Sequence, residues 1–449
     1  MTSALRTTIV KLDDLIVYEH CLPCPLNHAV PSGPHINIFA RELVSPSHDR
    51  LTQPMLLYLQ GGPGFESPRP VGRSGWIDHA LKTHRVLLLD QRGTGLSAPI
   101  SPVVLSALGS ADVQLQYLTQ FRADQIVLDA EMYRRVLLGE DAQWDILGQS
   151  FGGFCALHYL SAHPAGLRNA LFTGGLPPLS GGPDPVYEAL FPRVEARTDA
   201  YFERYPADRG VLARLAHYAE SHEVFLPSGT RLRGRTLQQL GMLLGASDGF
   251  EKLHYCLEQI GPEHHAITRL PYRFRVALDA LLPFNTHPIY ALLHEAIYCQ
   301  KAASRWSAQR IRDAHAYAAL FTASDFQFSG EMVFPWMFED YGELRASREV
   351  ADAVAEYDAW PSLYDTDALR LNQVPSAAAI YTQDMYVERT LSEETAQAVG
   401  AMSTWVTGAH EHNGLRVDGA HILAKLQSMV PWPSNDPENG AAGPESAGA

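Results

Sequence analysis

The stretch Gly148-Gln149-Ser150-Phe151-Gly152-Gly153 places one serine between small residues, directly after the apolar run Trp144-Asp145-Ile146-Leu147. The residues from Phe154 to Leu160 have helical spacing, and Pro164 stops that helix because proline cannot continue one. A strand, a tight turn and a helix are the context of the G-x-S-x-G nucleophile elbow, in which a strained turn lifts a serine oxygen above a sheet. Ser150 is therefore the candidate nucleophile.

Two further apolar runs predict strands that are buried on both faces. Met55 to Leu59 leads into Gln60-Gly61-Gly62-Pro63-Gly64, and Val86 to Leu89 leads into Asp90-Gln91-Arg92-Gly93-Thr94-Gly95-Leu96-Ser97. A helical stripe from Phe121 to Leu138 then precedes the Ser150 strand. Buried strands that alternate with helices predict an α/β fold with a mostly parallel sheet.

The rest of the chain adds an edge and an insertion to this sheet. Short alternating segments from Thr7 to Val44 predict antiparallel strands at one edge. From about Val186 to Asp365 the chain is rich in helical patterns and aromatics, which predicts an inserted helical cap, and the sheet resumes near Val374. The predicted units are a first core part, 1–182, a cap, 183–368, a second core part, 369–431, and a disordered tail rich in Pro, Gly, Ala and Glu, 432–449.

Two later strand ends offer partners for the serine. Asp384 follows the apolar run that ends at Tyr381, and a last short strand is followed by His410 and His412. The order Ser, Asp, His is the chain order of triads in hydrolases with a G-x-S-x-G elbow. Because both histidines come close after the strand, His410 stays open as the alternative base to His412.

The glycine loop Gln60 to Gly64 has backbone amides that a ligand can approach closely, as an oxyanion site requires. A metal site made from His410, Glu411 and His412 is a weaker hypothesis, because the sequence offers no further ligand set. We therefore expect neither a metal nor a cofactor.

Composition limits the partners and the compartment. Lys and Arg number 35 against 50 Asp and Glu, a formal charge of −15, which argues against nucleic acid or an anionic membrane as partner. The acidic excess would favour a cationic ligand, but an acidic surface that keeps the protein in solution is the simpler interpretation of the charge alone. Five cysteines, an odd number, do not suggest a disulfide framework. No stretch resembles a signal peptide or a membrane span, so the expected location is the cytoplasm. The sequence makes no prediction of oligomeric state.

The motifs together resemble those of the proline iminopeptidase (prolyl aminopeptidase) family of the α/β-hydrolase fold. The resemblance rests on five segments, 61–64, 90–97, 148–153, 384–387 and 412–415. Where this family usually has a histidine at the start of the glycine loop, the chain has Gln60, a change that backbone oxyanion donors tolerate.

The resemblance implies a serine aminopeptidase that releases proline from short peptides with a free N-terminal proline. Ser150 would be the nucleophile, His412 the base and Asp384 its orienting partner. The backbone N–H groups of Gly62 and Phe151 would form the oxyanion hole.

A free amine also needs carboxylates near the site. By resemblance to cap glutamates of the family, Glu295 is the first candidate and Glu331 the second, although either could be an ordinary helix-surface carboxylate. Three acidic residues of the cap are unranked further candidates: Asp325, Glu339 and Asp340. Three cap aromatics could wall a proline pocket or form the core of the cap: Phe328, Phe334 and Trp336.

Two other functions remain open on the same fold. An esterase, lactonase or amidase would act on an uncharged small substrate, and a requirement for a free amine separates it from an aminopeptidase. A catalytically silent binding protein usually has a broken triad, whereas Ser150, Asp384 and a histidine are all present here.

Overall fold

The structure, a computed structural model, describes residues 5–261, 267, 269–314 and 326–433. These residues form a nine-stranded sheet in the order β1-β2-β3-β5-β4-β6-β7-β8-β9. The strands are β1 (Arg6–Lys11), β2 (Ile16–Pro25), β3 (His35–Val44), β4 (Met55–Leu59), β5 (Arg85–Leu89), β6 (Trp144–Gln149), β7 (Leu167–Thr173), β8 (Ser376–Tyr381) and β9 (Met402–Thr407).

The sheet combines an antiparallel edge with a parallel centre. Strands β1, β2, β3 and β5 pair antiparallel, and the pairs from β5 through β4, β6, β7 and β8 to β9 are parallel. Every residue of β4, β5 and β8 is buried, as their continuous apolar runs predict. The predicted α/β class and its antiparallel edge are confirmed.

Helices cover both faces of the sheet. On one face α4 and α5 pack against the buried residues of the sheet, and on the other α1 and α18 pack together. Within the described ranges, no helix is long and apolar enough to cross a membrane. The helices up to β7 are α1 (Gly75–Ala80), α2 (Pro102–Ala107), α3 (Ala111–Leu118), α4 (Ala123–Leu138) and α5 (Phe151–Ala162).

The chain between β7 and β8 is helical in its described parts. Its α-helices are α6 (Asp184–Arg204), α7 (Pro206–Ser221), α8 (Gly234–Gln238), α9 (Gly249–Glu258), α10 (Tyr272–Ala280), α11 (Pro288–Leu293), α12 (Ser307–Ala314), α13 (Met337–Asp340), α14 (Arg348–Glu356) and α15 (Thr366–Arg370). After β8 come α16 (Arg389–Ala398), α17 (Gly414–Val417) and α18 (Gly419–Gln427). Short 3-10 helices lie at 164–166, 239–245, 283–285, 295–297 and 345–347. We call the helical insertion from α6 to α15 the cap.

Aromatic side chains fill the inside of the cap. Phe328 stacks on Phe202 with ring centres 5.7 Å apart, and Phe334 stacks on Trp336 at the same separation. All four rings are buried. Of the two roles open for Phe328, Phe334 and Trp336, the structure favours the core of the cap.

Arg122 connects the core to the cap. Its buried guanidinium, at the start of α4, donates to the carbonyl oxygens of Ala296 at 2.9 Å, Cys299 at 2.6 Å and Pro361 at 2.9 Å. It also lies over the Trp360 ring, 4.5 Å from the ring centre. Burial lowers the pKa of Arg122, and the charge of Asp124, 3.8 Å from its Nε, opposes this. The three carbonyls supply further hydrogen bonds to the buried cation.

Replacing this cation should weaken the attachment of the cap. We expect Arg122→Gln to lower the free energy of unfolding by about 2–4 kcal/mol, because three buried carbonyls lose a charged donor. Arg135, on the same helix but half-exposed, provides the control, and Arg135→Gln should change stability by less than about 0.5 kcal/mol. Denaturant unfolding measures both, and equal stability of the two variants would contradict this role.

Candidate active site

Ser150 lies on a strained turn between β6 and α5. Its backbone has φ 53° and ψ −125°, a region that residues with a side chain rarely adopt. Glycines around the turn allow close packing: a Cβ on Gly152 would come within 1.9 Å of the Leu59 carbonyl oxygen, and one on Gly148 within 2.5 Å of the Gly152 carbonyl oxygen. The geometry is that of the predicted elbow, with Ser150 at the carboxyl end of a central strand.

Asp384 and His412 form a buried hydrogen-bonded pair. Asp384 Oδ2 lies 2.7 Å from His412 Nδ1, and its Oδ1 accepts from the amides of Tyr386 at 2.8 Å and Val387 at 3.0 Å. The carboxylate is therefore fixed on both oxygens and holds the proton of the imidazole on Nδ1. His412 Nε2 is left facing Gln149, the residue before Ser150, whose Nε2 lies 3.4 Å away.

The imidazole has an unusual electrostatic environment. Burial alone would lower the pKa of His412, but the charge and hydrogen bond of Asp384, together with the charge of Glu331, raise it above the ordinary value. The Tyr386 ring meets the imidazole edge-on with centres 4.7 Å apart. A base in this setting is held in one orientation and binds a proton more strongly than a free histidine.

The two neighbours of His412 point to other partners. His410 Nε2 lies 3.5 Å from Asp418, and Glu411 accepts from Arg197 at 2.9 Å. Of the two candidate bases, the structure pairs only His412 with Asp384. The side chains of residues 410–412 thus have three different partners, and the described residues contain no group of three candidate ligands that could hold a metal ion.

Contacts from the cap hold the histidine loop. The His412 amide donates to the Gly245 carbonyl at 3.2 Å, and the Ser247 amide donates to the side chain of Asn413 at 2.9 Å. Arg416 NH2 donates to Asp248 at 2.6 Å. The position of the base therefore depends on the cap as well as on β9.

The glycine loop lies against the nucleophile turn. A Cβ on Gly61 would come 2.9 Å from Ser150 Cβ. The Gln91 side chain donates to the Gln60 carbonyl at 2.9 Å, which fixes the start of the loop. The amide of Phe151, first in α5, has no intrahelical acceptor, as at every helix start. The backbone amides of Gly62 and Phe151 therefore stay the predicted oxyanion donors.

Glu331 is a cap carboxylate whose charge raises the pKa of His412. The Tyr290 hydroxyl donates to its Oε1, and His294 Nε2 donates to its backbone carbonyl at 3.1 Å. Burial raises the pKa of Glu331 to about 7, the nearby Asp384 charge adds to this, and His412 and the Tyr290 hydrogen bond oppose it. The carboxyl therefore titrates near neutral pH, beside the candidate base.

Glu295 has a different environment. Its Oε1 accepts from the Ala308 amide at 2.9 Å and its Oε2 from the Ser307 amide at 3.1 Å, so it caps the start of α12. Burial raises its pKa, and these hydrogen bonds offset part of the rise. The sequence ranks Glu295 before Glu331, but both oxygens of Glu295 already bind backbone amides, from which we infer that Glu331 is the better candidate for binding an amine.

The unranked acidic candidates are engaged elsewhere in the cap or lie outside the description. Asp340 is buried and accepts from Arg235 at 2.6 Å and 2.9 Å. Glu339 is exposed and pairs with Arg235 and Arg348. Asp325 is outside the described residues. We therefore do not place an amine at Asp340 or Glu339.

Two kinds of relatedness agree with this geometry. The alpha/beta hydrolase fold family matches residues 54–258. A proline iminopeptidase from Aeromonas sobria is 46% identical over 420 residues, which cover 92% of this chain and 96% of that protein. The chain belongs to the proline iminopeptidase family.

Other members of the proline iminopeptidase family are more distant. The proline iminopeptidase aneH from Aspergillus aculeatus is 33% identical, over 90% of this chain and 91% of that protein. A solved structure of a proline iminopeptidase from Mycobacterium smegmatis aligns with 13% identity and a TM-score of 0.42, covering 91% of this chain and 97% of that chain. The match to the alpha/beta hydrolase fold family and the 46% identical relative show that the chain is a hydrolase of the α/β-hydrolase fold.

The sequence did not reveal that Tyr290, His294 and Gln149 lie next to the candidate site residues. Tyr290 and His294 reach Glu331 from α11 and the residue after it, which are separated from Glu331 by about forty positions in the chain. No motif marks such long-range contacts. Gln149 lies inside the elbow motif, directly before Ser150. A polar side chain at that position was the one sequence feature that could have pointed to a contact with the base.

The capping role of Glu295 can be tested by stability. We expect Glu295→Gln to lower the free energy of unfolding by about 1–3 kcal/mol, since an amide offers only one acceptor oxygen to two buried N–H groups. Glu349→Gln, on the exposed first turn of α14, should have little effect. If Glu295→Gln keeps the wild-type melting temperature but loses the preference for a substrate with a free amine, Glu295 binds the amine and the capping role is contradicted.

Proposed function

We propose that the chain is a serine aminopeptidase that releases N-terminal proline from short peptides. The observation that carries the proposal is the buried Asp384–His412 pair beside the Ser150 elbow, with the Glu331 carboxyl close enough to shift the pKa of His412. Family membership and the proline iminopeptidase relatives support the choice of substrate. Fold alone would not.

In the first half of the reaction, Ser150 Oγ attacks the carbonyl carbon of the N-terminal proline while its proton passes to His412 Nε2. Asp384 stabilises the imidazolium through Nδ1–H. The amides of Gly62 and Phe151 bind the oxyanion, each donor contributing about 3 kcal/mol. The carbon–nitrogen bond then breaks, the Nε2 proton goes to the leaving amine, and proline remains as an ester on Ser150.

In the second half, His412 Nε2 takes a proton from water as the water oxygen attacks the ester carbonyl. When the new tetrahedral species collapses, the proton returns from Nε2 to Ser150 Oγ and free proline leaves. The base thus ends each cycle neutral, and the reaction needs no group other than the protein and water.

Glu331 would bind the ammonium group of the substrate. A carboxyl with a pKa of about 7 is partly protonated at neutral pH, and an incoming cation favours its ionised form. An N-acetylated substrate has no such cation and cannot form this ion pair. The selectivity for a free N-terminus therefore follows from the charge-assisted hydrogen bond that only an ammonium group gains with Glu331.

The direct test is release of the chromophore from a prolyl anilide. We expect turnover of the free-amine substrate, at least about 100-fold weaker cleavage of its N-acetyl derivative, and a fall in kcat on the order of 10⁶-fold in Ser150→Ala. Cleavage of simple esters that depends on Ser150, with no prolyl activity, would contradict the aminopeptidase and favour an esterase.

The pH dependence tests the two titrating groups. Productive binding needs neutral His412 and ionised Glu331, so log kcat/KM should fall below pH 7 with a slope approaching two. In Glu331→Gln we expect a slope of one, a limb moved to lower pH because a charge that raises the His412 pKa is gone, and kcat/KM lower by about 10- to 100-fold.

The matched control for this measurement is Glu339→Gln. Glu339 is an exposed carboxylate of the same cap that pairs with Arg235 and Arg348, so its replacement should leave the slope and kcat/KM as in the wild type. If Glu331→Gln keeps both a slope of two and the wild-type kcat/KM, Glu331 does not bind the amine.

A further inference from the structure

A cavity of about 500 Å³ opens beside the candidate base on the side of the core. This is a size that accommodates a small ligand. Its wall includes the catalytic imidazole, two glutamines, two arginines and a tryptophan: His412, Gln60, Gln149, Arg69, Arg416 and Trp76. Among the described residues, all that line it come from the core, and none from the cap. We call it the core-side cavity.

The direction of the reaction assigns this space. His412 gives the proton from Nε2 to the leaving amine, so the nitrogen of the second substrate residue must come within hydrogen-bond reach of that atom. The amine of the proline is expected on the cap side, at Glu331. Glu331 does not line the core-side cavity. The part of the substrate that follows the scissile bond therefore begins at His412, which lies in the wall of the core-side cavity.

The charges of the cavity are positive. Arg69 and Arg416 line it, and within the described part of the chain no carboxylate does. Arg69 is fixed by a two-point pair with Asp90 at 2.7 Å. Arg416 is half-exposed and shares Asp248 with Lys252, which lies 2.8 Å from that carboxylate. Arg416 and Lys252 thus share one carboxylate, which leaves one positive charge in excess next to this wall of the cavity.

We propose that the core-side cavity binds the leaving part of the substrate and that Arg416 binds its C-terminal carboxylate. The substrate class is then a prolyl dipeptide or tripeptide with a free carboxylate. This inference rests on the proposed function and adds a second recognition site to it. Trp76, in the wall of the cavity, would make apolar contact with the side chain of the second substrate residue.

The position of Arg416 next to the histidine loop requires a control for loop position. Arg416→Gln removes both the cation and its ion pair with Asp248. Asp248→Asn removes the same ion pair but keeps the cation. Comparing the two variants separates recognition of a carboxylate from support of the loop, and Arg416→Lys tests whether a cation alone restores the effect.

The measurement is kcat/KM for proline release from Pro-Gly and Pro-Gly-Gly, each compared with its C-terminal amide. The ratio of acid to amide within one variant cancels any general effect on the base. We expect a ratio of about ten in the wild type for at least one peptide length, carried mainly by KM, as a charge-assisted hydrogen bond at a partly exposed site gives.

We expect Arg416→Gln to bring the ratio to about one, Asp248→Asn to keep it at the wild-type value or higher, and Arg416→Lys to restore part of it. A wild-type ratio of one, or an equal fall in Arg416→Gln and Asp248→Asn, would overturn the proposal. Prolyl anilide is the reference substrate. If the enzyme cleaves it but shows no preference for peptide acids over peptide amides, only this inference is rejected. If the enzyme does not cleave it at all, the proposed function itself is rejected.

Discussion

The left-handed backbone of Ser150 is the constraint on which the rest of the structure depends. Such a conformation costs about 1–3 kcal/mol for a residue with a side chain. The neighbours hold it in place: the Ser150 amide donates to the Thr173 carbonyl at 3.1 Å, and Gly153 donates back to the Ser150 carbonyl at 2.7 Å. A Cβ on Gly153 would come 2.3 Å from the Gly175 carbonyl oxygen, so β6, α5 and the end of β7 must fit closely.

The same dependence on glycine extends from the elbow to the cap. A Cβ on Gly64 would meet Ile289 Cβ at 2.8 Å, and one on Gly93 would meet the end of the Ile289 side chain at 2.5 Å. The two loops that follow β4 and β5 therefore form the seat of α11, and α11 carries Tyr290, which binds Glu331. The position of the cap carboxylate is thus set by loops whose glycines already serve the core.

The sequence predicts the core well because the relevant signals are local. Continuous apolar runs mark β4, β5 and β8, and the elbow motif marks Ser150, since each depends on residues next to one another in the chain. Asp384 follows from its place after a strand. For the base, the resemblance favours His412 over His410, and the fold adds the physical difference between them, because the two positions in one loop have different partners.

The cap shows why the remaining part could not be predicted. Glu295 and Glu331 are both cap glutamates near aromatic residues, and only the fold shows that backbone amides of α12 occupy the first. Similarly, the aromatic side chains of Phe328 and Phe334 suit a proline pocket or a core equally well by type. Contacts between residues far apart in sequence decide both questions, and helical periodicity carries no information about them.

Local charge, not net charge, determines what such a site attracts. The formal charge of −15 favours a cationic ligand, and the carboxylates of Asp384 and Glu331 around one imidazole extend this preference into the site. A short peptide, however, carries opposite charges at its two ends. A site that met it with carboxylates alone would repel one end. Two arginine side chains line the core side of His412, and one of them, Arg416, shares the carboxylate of Asp248 with Lys252, so that side carries an excess positive charge.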